Sequence, residues 1–308
     1  MSADREFAMG GEQGHLDLSP CLLDFEATYM ALRNFAQATR CGYGADLRHF
    51  LAYLSATLGI ESVNEVRRSH VYQYLAELDR RGLAGATRTR KIAAIKSFFG
   101  YLEDIGSISG NPAQRIPRPK QELHEPRVLT EDEYRRLQQA CRDHGRDRAI
   151  IELFLQTGLR LSEVAGLPLL DLQLPVDASR KSVGAVRVEG KGRKQRTVSL
   201  NWKACRAIAV YLANRPTTDC PNVFLSKSGL ALSGRAIQRI VKKHMAKAEI
   251  ARASVHTLRH TFATHMVRKG TNLRVIQEAL GHTSLQTTSR YVSLARDLMD
   301  EQLQANAL

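Results

Sequence analysis

His256, Arg259 and His260 lie in the stretch HTLRHTFATH, whose spacing admits two chemistries. Histidines four residues apart share a helix face. That is the arrangement of the zinc motif H-E-x-x-H, with His265 or His282 available as a third ligand. The zinc motif needs a glutamate directly after its first histidine, as base for the metal-bound water. Thr257 stands there instead, and Arg259 adjoins the would-be ligand His260. A fixed positive charge beside a dication is unfavourable, so no metal site is expected. The second chemistry takes the arginine as the point. His256 and Arg259 are three apart on one helix face, and an arginine fork matches two phosphate oxygens. QTGLRLSEVAGL supplies Arg160 after Gly158, with Ser162 as a cap and Glu163 in the first turn of a helix. EALGHTSLQTTSRYVSL supplies His282 after Gly281, and Tyr291 on a following helix. With Lys191 in a basic turn, these are the parts for phosphoryl transfer without a metal. Arginines neutralise a pentacoordinate phosphate, lysine or histidine moves protons, and a tyrosine hydroxyl attacks. Each residue alone has a plainer reading: Arg160 and Lys191 as solvated, His282 as a helix cap, Tyr291 as core. Their joint occurrence is what favours chemistry.

The elements that must position them read as mostly helical. Tyr43, Leu47, Phe50, Leu51, Leu54 and Leu58 recur at helical spacing, as do Ile92, Ile95, Phe99 and Leu102. Ser19-Pro20 is a helix-start pair. Residues 19–110 therefore form a small helical bundle after a mobile leader, 1–18. Its last helix carries Arg88, Arg90, Lys91 and Lys96 beside or away from the apolar stripe. GNPAQRIPRPKQELHEPR, with four prolines, marks a linker over 111–128. Thr130 and Glu133 then make a capping box that opens a second domain, 129–308. Within it Val186 and Val188, then Val198 and Leu200, alternate with polar residues around EGKGRK, a β-hairpin with a Gly- and Lys-rich turn. A helix capped at Ser233 turns Ile237, Ile240 and Val241 inward and carries a stripe of Arg235, Arg239, Lys242 and Lys243. On its own such a stripe reads as a solvated face; it also suits phosphate or the major groove.

The chain has 308 residues, 45 of them basic and 31 acidic, for a net charge of +14. The excess is concentrated: residues 131–308 hold 29 basic against 16 acidic side chains. A polyanion partner follows, nucleic acid first among them. Five scattered cysteines without a C-x-x-C read as reduced thiols. No apolar run approaches the roughly 18 residues of a membrane span. The leader is acidic with no apolar centre, unlike a signal or transit peptide. No P-loop pattern occurs.

TGLRLSEVAGL, VEGKGRKQRTVSL, VHTLRHTFATHMVRKGTNLRVIQEALGH and TSLQTTSRYV, in that order, resemble the tyrosine recombinases, most closely the compact Xer-type and transposon- or phage-integrase branch. TRCGYGADLRHFLAYL and RKIAAIKSFFGYLEDIGSISGNP resemble that family's core-binding domain. The resemblance implies a mainly α protein: a SAM-like helical core-binding domain, then a predominantly helical catalytic domain with a small antiparallel sheet, the two forming a clamp on DNA. It implies Arg160 and Arg259 as phosphate-clamping arginines, His256 beside the phosphate and taking the tyrosine proton, and Lys191 as general acid. It implies His282 as a further phosphate donor and Tyr291 as the nucleophile of a 3′-phosphotyrosyl intermediate. Glu163 supports the arginines and His260 is structural. Arg88, Lys91, Lys96, Arg235, Arg239, Lys242 and Lys243 are the expected DNA contacts. The implied activity is site-specific recombination through a Holliday junction, metal- and ATP-independent and with no cofactor. The implied partners are double-stranded DNA and a homotetramer, or a heterotetramer with a sister recombinase. The C-terminal tail would dock on a neighbour, and the location would be cytoplasmic and nucleoid-associated. A type IB topoisomerase and a non-catalytic sequence-specific DNA-binding protein are the alternatives.

Overall fold

The long apolar periodicity around Leu47 becomes a 22-residue helix, and the other helices of the first unit close a core around it. The computed structural model describes residues 17–119, 126–177, 183–190, 195–281 and 291. The chain divides into two units, Met1–Leu123 and His124–Leu308.

The first unit comprises α1 (Leu18–Asp24), a π-helical turn (Phe25–Tyr29), α2 (Met30–Leu32), α3 (Gln37–Leu58), α4 (Arg68–Arg80) and α5 (Gly85–Asp104). Leu47, Phe50 and Leu54 of α3 bury against Val71, Tyr74 and Leu78 of α4 and Ile92, Ile95, Phe99 and Leu102 of α5. Edge-to-face rings fill the centre, Phe50 on Tyr74 at 5.0 Å and Phe98 on Phe99 at 5.2 Å. The first helix starts one residue before the expected cap. Leu18 donates its amide to the Glu61 carbonyl, and Asp17 bridges Ser62, so the chain is already pinned there. Ser19 and Pro20 fall in the first turn, where a missing N–H costs nothing. Ala113 and Ile116 are buried in the same core, and Asn111 donates to the Lys96 carbonyl. The unit therefore runs past residue 110, into the stretch read as linker.

The second unit contains α6 (Glu131–Ala140), α7 (Gly145–Thr157), α8 (Leu161–Ala165), β1 (Leu172–Gln173), β2 (Gly184–Glu189), β3 (Gln195–Leu200), α9 (Trp202–Leu212), α10 (Gly234–Lys247), α11 (Val255–Arg268) and α12 (Leu273–Leu280). α7 is its central element. Ala149, Ile150, Ile151, Leu153, Phe154 and Leu155 are buried, and the helix packs on α9, α10, α11 and β3. The hairpin register pairs Val186 with Val198 and Gly184 with Leu200, so the alternating apolar residues share one face. A third antiparallel strand, β1, joins it; two residues are too few to show a period. The capping box forms as expected, with Thr130 accepting from the Glu133 amide and Glu133 accepting from the Thr130 amide. Ser233 likewise caps α10 by accepting from the Ala236 amide. No helix among the described residues is long and apolar enough to cross a membrane.

Asp147, in the first turn of α7, accepts from His244 of α10 at 2.9 Å and from Arg146, and His244 also meets the Ala140 carbonyl closing α6. Burial raises the Asp147 carboxyl, but the bonds from His244 and Arg146 outweigh it and hold it below its ordinary value. A depressed carboxyl contributes stability that is complete above the unfolded value of about 3.9 and is lost as pH falls through the folded one. Asp147→Asn is expected to cost about 3 kcal/mol, read as a lower urea midpoint at pH 7. The difference from wild type should narrow on acidification.

Candidate active site

Gly281 ends α12 in the left-handed region, at φ 63°, and the last carbonyls of the helix are left without helical partners. Three arginines from three different elements fill those places. Arg196 of β3 donates Nε to the Ala279 carbonyl at 3.2 Å. Arg259 of α11 donates to the Leu280 carbonyl at 2.7 Å and to the Gly158 carbonyl at 2.5 Å. Arg160, at the cap of α8, donates to the Gly281 carbonyl at 2.5 Å. The negative end of the α12 dipole thus gathers the cations. Glycine is required at 281 twice over. Its φ is positive, and a Cβ there would lie 2.8 Å from the Arg196 guanidinium carbon and 3.1 Å from an Arg160 nitrogen.

Glu163 organises this cluster from beneath. Its Oε2 accepts the Arg160 amide at 2.7 Å, so Glu163 rather than Ser162 caps α8. A carboxylate three residues into the helix reaches back to the free amide and favours the positive end of the dipole. Its Oε1 accepts Arg160 at 2.9 Å, and both oxygens accept the fork of Arg196, at 2.8 and 2.9 Å. Burial raises the Glu163 carboxyl, yet the bonds from Arg196 and from the Arg160 amide hold it below the usual range. Burial, and then the nearby Arg160, press the Arg259 guanidinium down to about 10, still charged at neutral pH. Three guanidinium groups against one carboxylate leave the pocket strongly cationic. Only Arg160 presents much surface, its side chain 35% exposed.

Tyr291 is 1% exposed and sits among Phe262, Ile276 and Leu280. Its hydroxyl is hydrogen-bonded to Nδ1 of His260 at 2.9 Å. His260 was read as a structural residue that packs or hydrogen-bonds, and the structure supplies the partner of that bond, the tyrosine hydroxyl. His256 lies exposed in the first turn of the same helix. The two histidines serve different surroundings, and no three His, Cys, Asp or Glu side chains converge as a metal site among the described residues. Lys191 and His282 lie outside the described residues, as does the segment after Tyr291.

Among the expected DNA contacts, Arg235, Arg239, Lys242 and Lys243 are all exposed on α10. The α5 residues differ. Lys91 is only 7% exposed and pairs with the buried Asp46 at 3.0 Å, so it is a core ion pair and not a DNA contact. Asp46 on α3 needs cations because it is buried, and α5 supplies two, Lys91 and Arg90. Arg88 pairs with Asp79, and Lys96 donates to the Gln114 carbonyl. Arg196 was missed. It is the inward-facing charged member of a strand whose other inward residues are Val198 and Leu200. A charge on the apolar register of a strand is the signal that marks it.

The phage integrase family matches residues 127–297, and the phage integrase N-terminal SAM-like domain matches residues 22–106. The chain belongs to the phage integrase family. It is a tyrosine recombinase, a DNA strand transferase of site-specific recombination. Tyrosine recombinase XerC of Pelobacter propionicus is 40% identical over 277 residues, covering 87% of this chain and 89% of its own. Tyrosine recombinase XerD of Bifidobacterium longum is 33% identical, with 87% and 91% covered. Among solved structures, XerA recombinase superposes with a TM-score of 0.52 at 27% identity, covering 94% of this recombinase and 99% of that chain. XerH site-specific recombinase in a post-cleavage complex with its difH substrate shares the fold, with a TM-score of 0.73 at 22% identity and coverage of 91% and 83%. A lambda integrase tetramer bound to a Holliday junction does so as well, with a TM-score of 0.69 at 19% identity and coverage of 90% and 78%.

Proposed function

We propose that this recombinase cuts one DNA strand at a time with Tyr291, keeps the strand as a 3′-phosphotyrosyl ester, and passes it to a partner duplex through a Holliday junction. The convergence of Arg160, Arg196 and Arg259 on one helix end, beside the Tyr291 pocket, is the observation that carries this reading. In the proposed reaction the Tyr291 oxygen attacks the scissile phosphorus. A Tyr O–P bond forms, the P–O5′ bond breaks, and the 5′-oxygen leaves. Tyrosine ordinarily ionises near about 10, so its proton must move as it attacks. His260, already bonded to the hydroxyl, is assigned that proton in place of His256, which is exposed at the start of α11 and is assigned to the phosphate alone. Lys191 is assigned as the acid that protonates the leaving 5′-oxygen, and His282 as a further phosphate donor. Arg160 and Arg259 hold the charge that grows on the non-bridging oxygens. The free 5′-hydroxyl of a second duplex reverses the chemistry. Because the ester keeps the energy of the broken bond, no ATP enters.

The exposed α10 stripe is assigned to DNA phosphates. Arg235, Arg239, Lys242 and Lys243 changed together to Ala should lower the slope of log affinity against log salt by roughly 3 to 4, measured by fluorescence anisotropy across a salt series. Four protomers on two sites, identical or shared with a sister recombinase, form the working assembly, consistent with the lambda integrase tetramer. The work is assigned to the cytoplasm, on the chromosome or a mobile element. The test is a product assay. Duplexes recovered by selection from random DNA are placed on two distinguishable molecules and incubated with the protein. Exchanged strands and four-way junctions support recombination. Relaxed circles without exchange would move the reading to a type IB topoisomerase.

A further inference from the structure

Glu163 is a buried carboxylate shared by two guanidinium groups of unequal exposure. Its side chain is 2% exposed, that of Arg196 is 16% and that of Arg160 is 35%. Arg196 commits its donors inward. NH1 and NH2 engage one carboxylate oxygen each, while Nε and NH2 reach the Ala279 and Leu280 carbonyls. Besides its backbone amide, Arg160 gives Glu163 one side-chain nitrogen, NH1, on an oxygen that Arg196 already shares, and gives Gly281 its NH2. Without Arg196 both carboxylate oxygens would be open to the neighbouring fork, and a bidentate Arg–carboxylate pair is the favoured geometry. The Arg160 fork would then turn inward, away from solvent and any incoming anion. The Ala279 carbonyl would also lose the arginine donor that caps this end of α12.

We propose that Arg196 is a positioning residue for the strand-transfer reaction: by saturating Glu163 and seating the end of α12, it keeps the Arg160 fork divided between Glu163 and Gly281 and stops it closing on the carboxylate, which leaves its remaining N–H groups at the exposed edge for the scissile phosphate. It contributes through Arg160 and does not itself touch the phosphate. The inference rests on the reading of Arg160 as a phosphate clamp. It assigns a role to a hairpin arginine that the catalytic set did not include.

The experiment compares single-turnover formation of the covalent adduct by the full chain on a nicked duplex carrying its selected site. The scissile linkage is either the normal diester or a methylphosphonate, in which a methyl group replaces one charged oxygen. A neutral linkage makes less demand on an arginine clamp, so defects that act through Arg160 shrink on it. Arg196→Gln is expected to slow adduct formation about 30- to 100-fold on the diester and less than about fivefold on the methylphosphonate, with site affinity kept. Arg196→Lys, which retains the charge but not the fork, should recover part of the diester rate. It stands in for the glutamine variant if that one does not fold. The double variant with Arg160→Ala should be no slower than Arg160→Ala alone. Equal losses on both linkages, additivity with Arg160→Ala, or a wild-type rate would each overturn the inference. If instead Arg160→Ala itself retains the wild-type diester rate, the clamp reading beneath it fails, and the inference falls with it.

Discussion

Tyr291→Phe is expected to bind its DNA site like the wild type and to form no covalent adduct, a loss of at least about 10³-fold. Phenylalanine keeps the ring that packs on Phe262, Ile276 and Leu280, so the pocket stays filled. What is removed is one oxygen, hydrogen-bonded to His260. A lost hydrogen bond costs only about 1 kcal/mol, too little to unfold the unit. The failure would therefore be chemical. A nicked duplex that traps the cleaved product reads it directly, as a band resistant to denaturation with wild type and absent with the variant. Thermal melting supplies the control, with a midpoint close to that of wild type.

Arg259→Gln carries the second large effect, and it should be double. Arg259 is buried, and the two terminal nitrogens of its fork reach different partners, the Gly158 carbonyl in the turn after α7 and the Leu280 carbonyl at the end of α12. Glutamine offers one amide where two divergent donors are needed, so at least one buried carbonyl is stranded, at about 1–3 kcal/mol. The reaction also loses a charge beside the phosphate, which costs about 10²–10³ in the rate of adduct formation. Lysine would return the charge but not the two divergent donors, so it should recover only part of the rate and still leave a carbonyl stranded. Burial and Arg160 hold the wild-type guanidinium near about 10. Its charge is therefore intact at neutral pH. Single-turnover rates and urea midpoints, measured on the same preparations, separate the two contributions.

Periodicity made the first unit legible: the apolar spacing from Tyr43 to Leu58 and from Ile92 to Leu102 is the core it forms. The hairpin was equally plain, because Val186, Val188, Val198 and Leu200 alternate in the register they adopt. Motif spacing picked out Arg160, Glu163, Arg259 and Tyr291 as candidates, and in the structure the first three gather at the end of α12 while the Tyr291 ring packs on its Leu280. What spacing could not reveal was pairing across the fold. Lys91 looks like any basic helix residue until Asp46, 45 positions earlier, is seen beneath it. The partner of His260 could not be read from spacing, because it lies 31 residues away. Arg196 was hidden in a run of basic residues, where only its register on the strand sets it apart. The capping of α8 by Glu163 also turns on geometry, since Ser162 is the better capping residue by type.

The central claim, that Tyr291 becomes covalently joined to DNA, has a direct readout in this sequence. Arg290 and Arg296 bracket the nucleophile, so trypsin releases it in the short peptide YVSLAR. Adduct trapped on a nicked duplex, digested with nuclease and trypsin and analysed by mass spectrometry, should show that peptide carrying a 3′-nucleotide phosphate on its tyrosine. A nucleotide on any other peptide, or wild-type protein that exchanges strands while YVSLAR stays unmodified, would contradict the account.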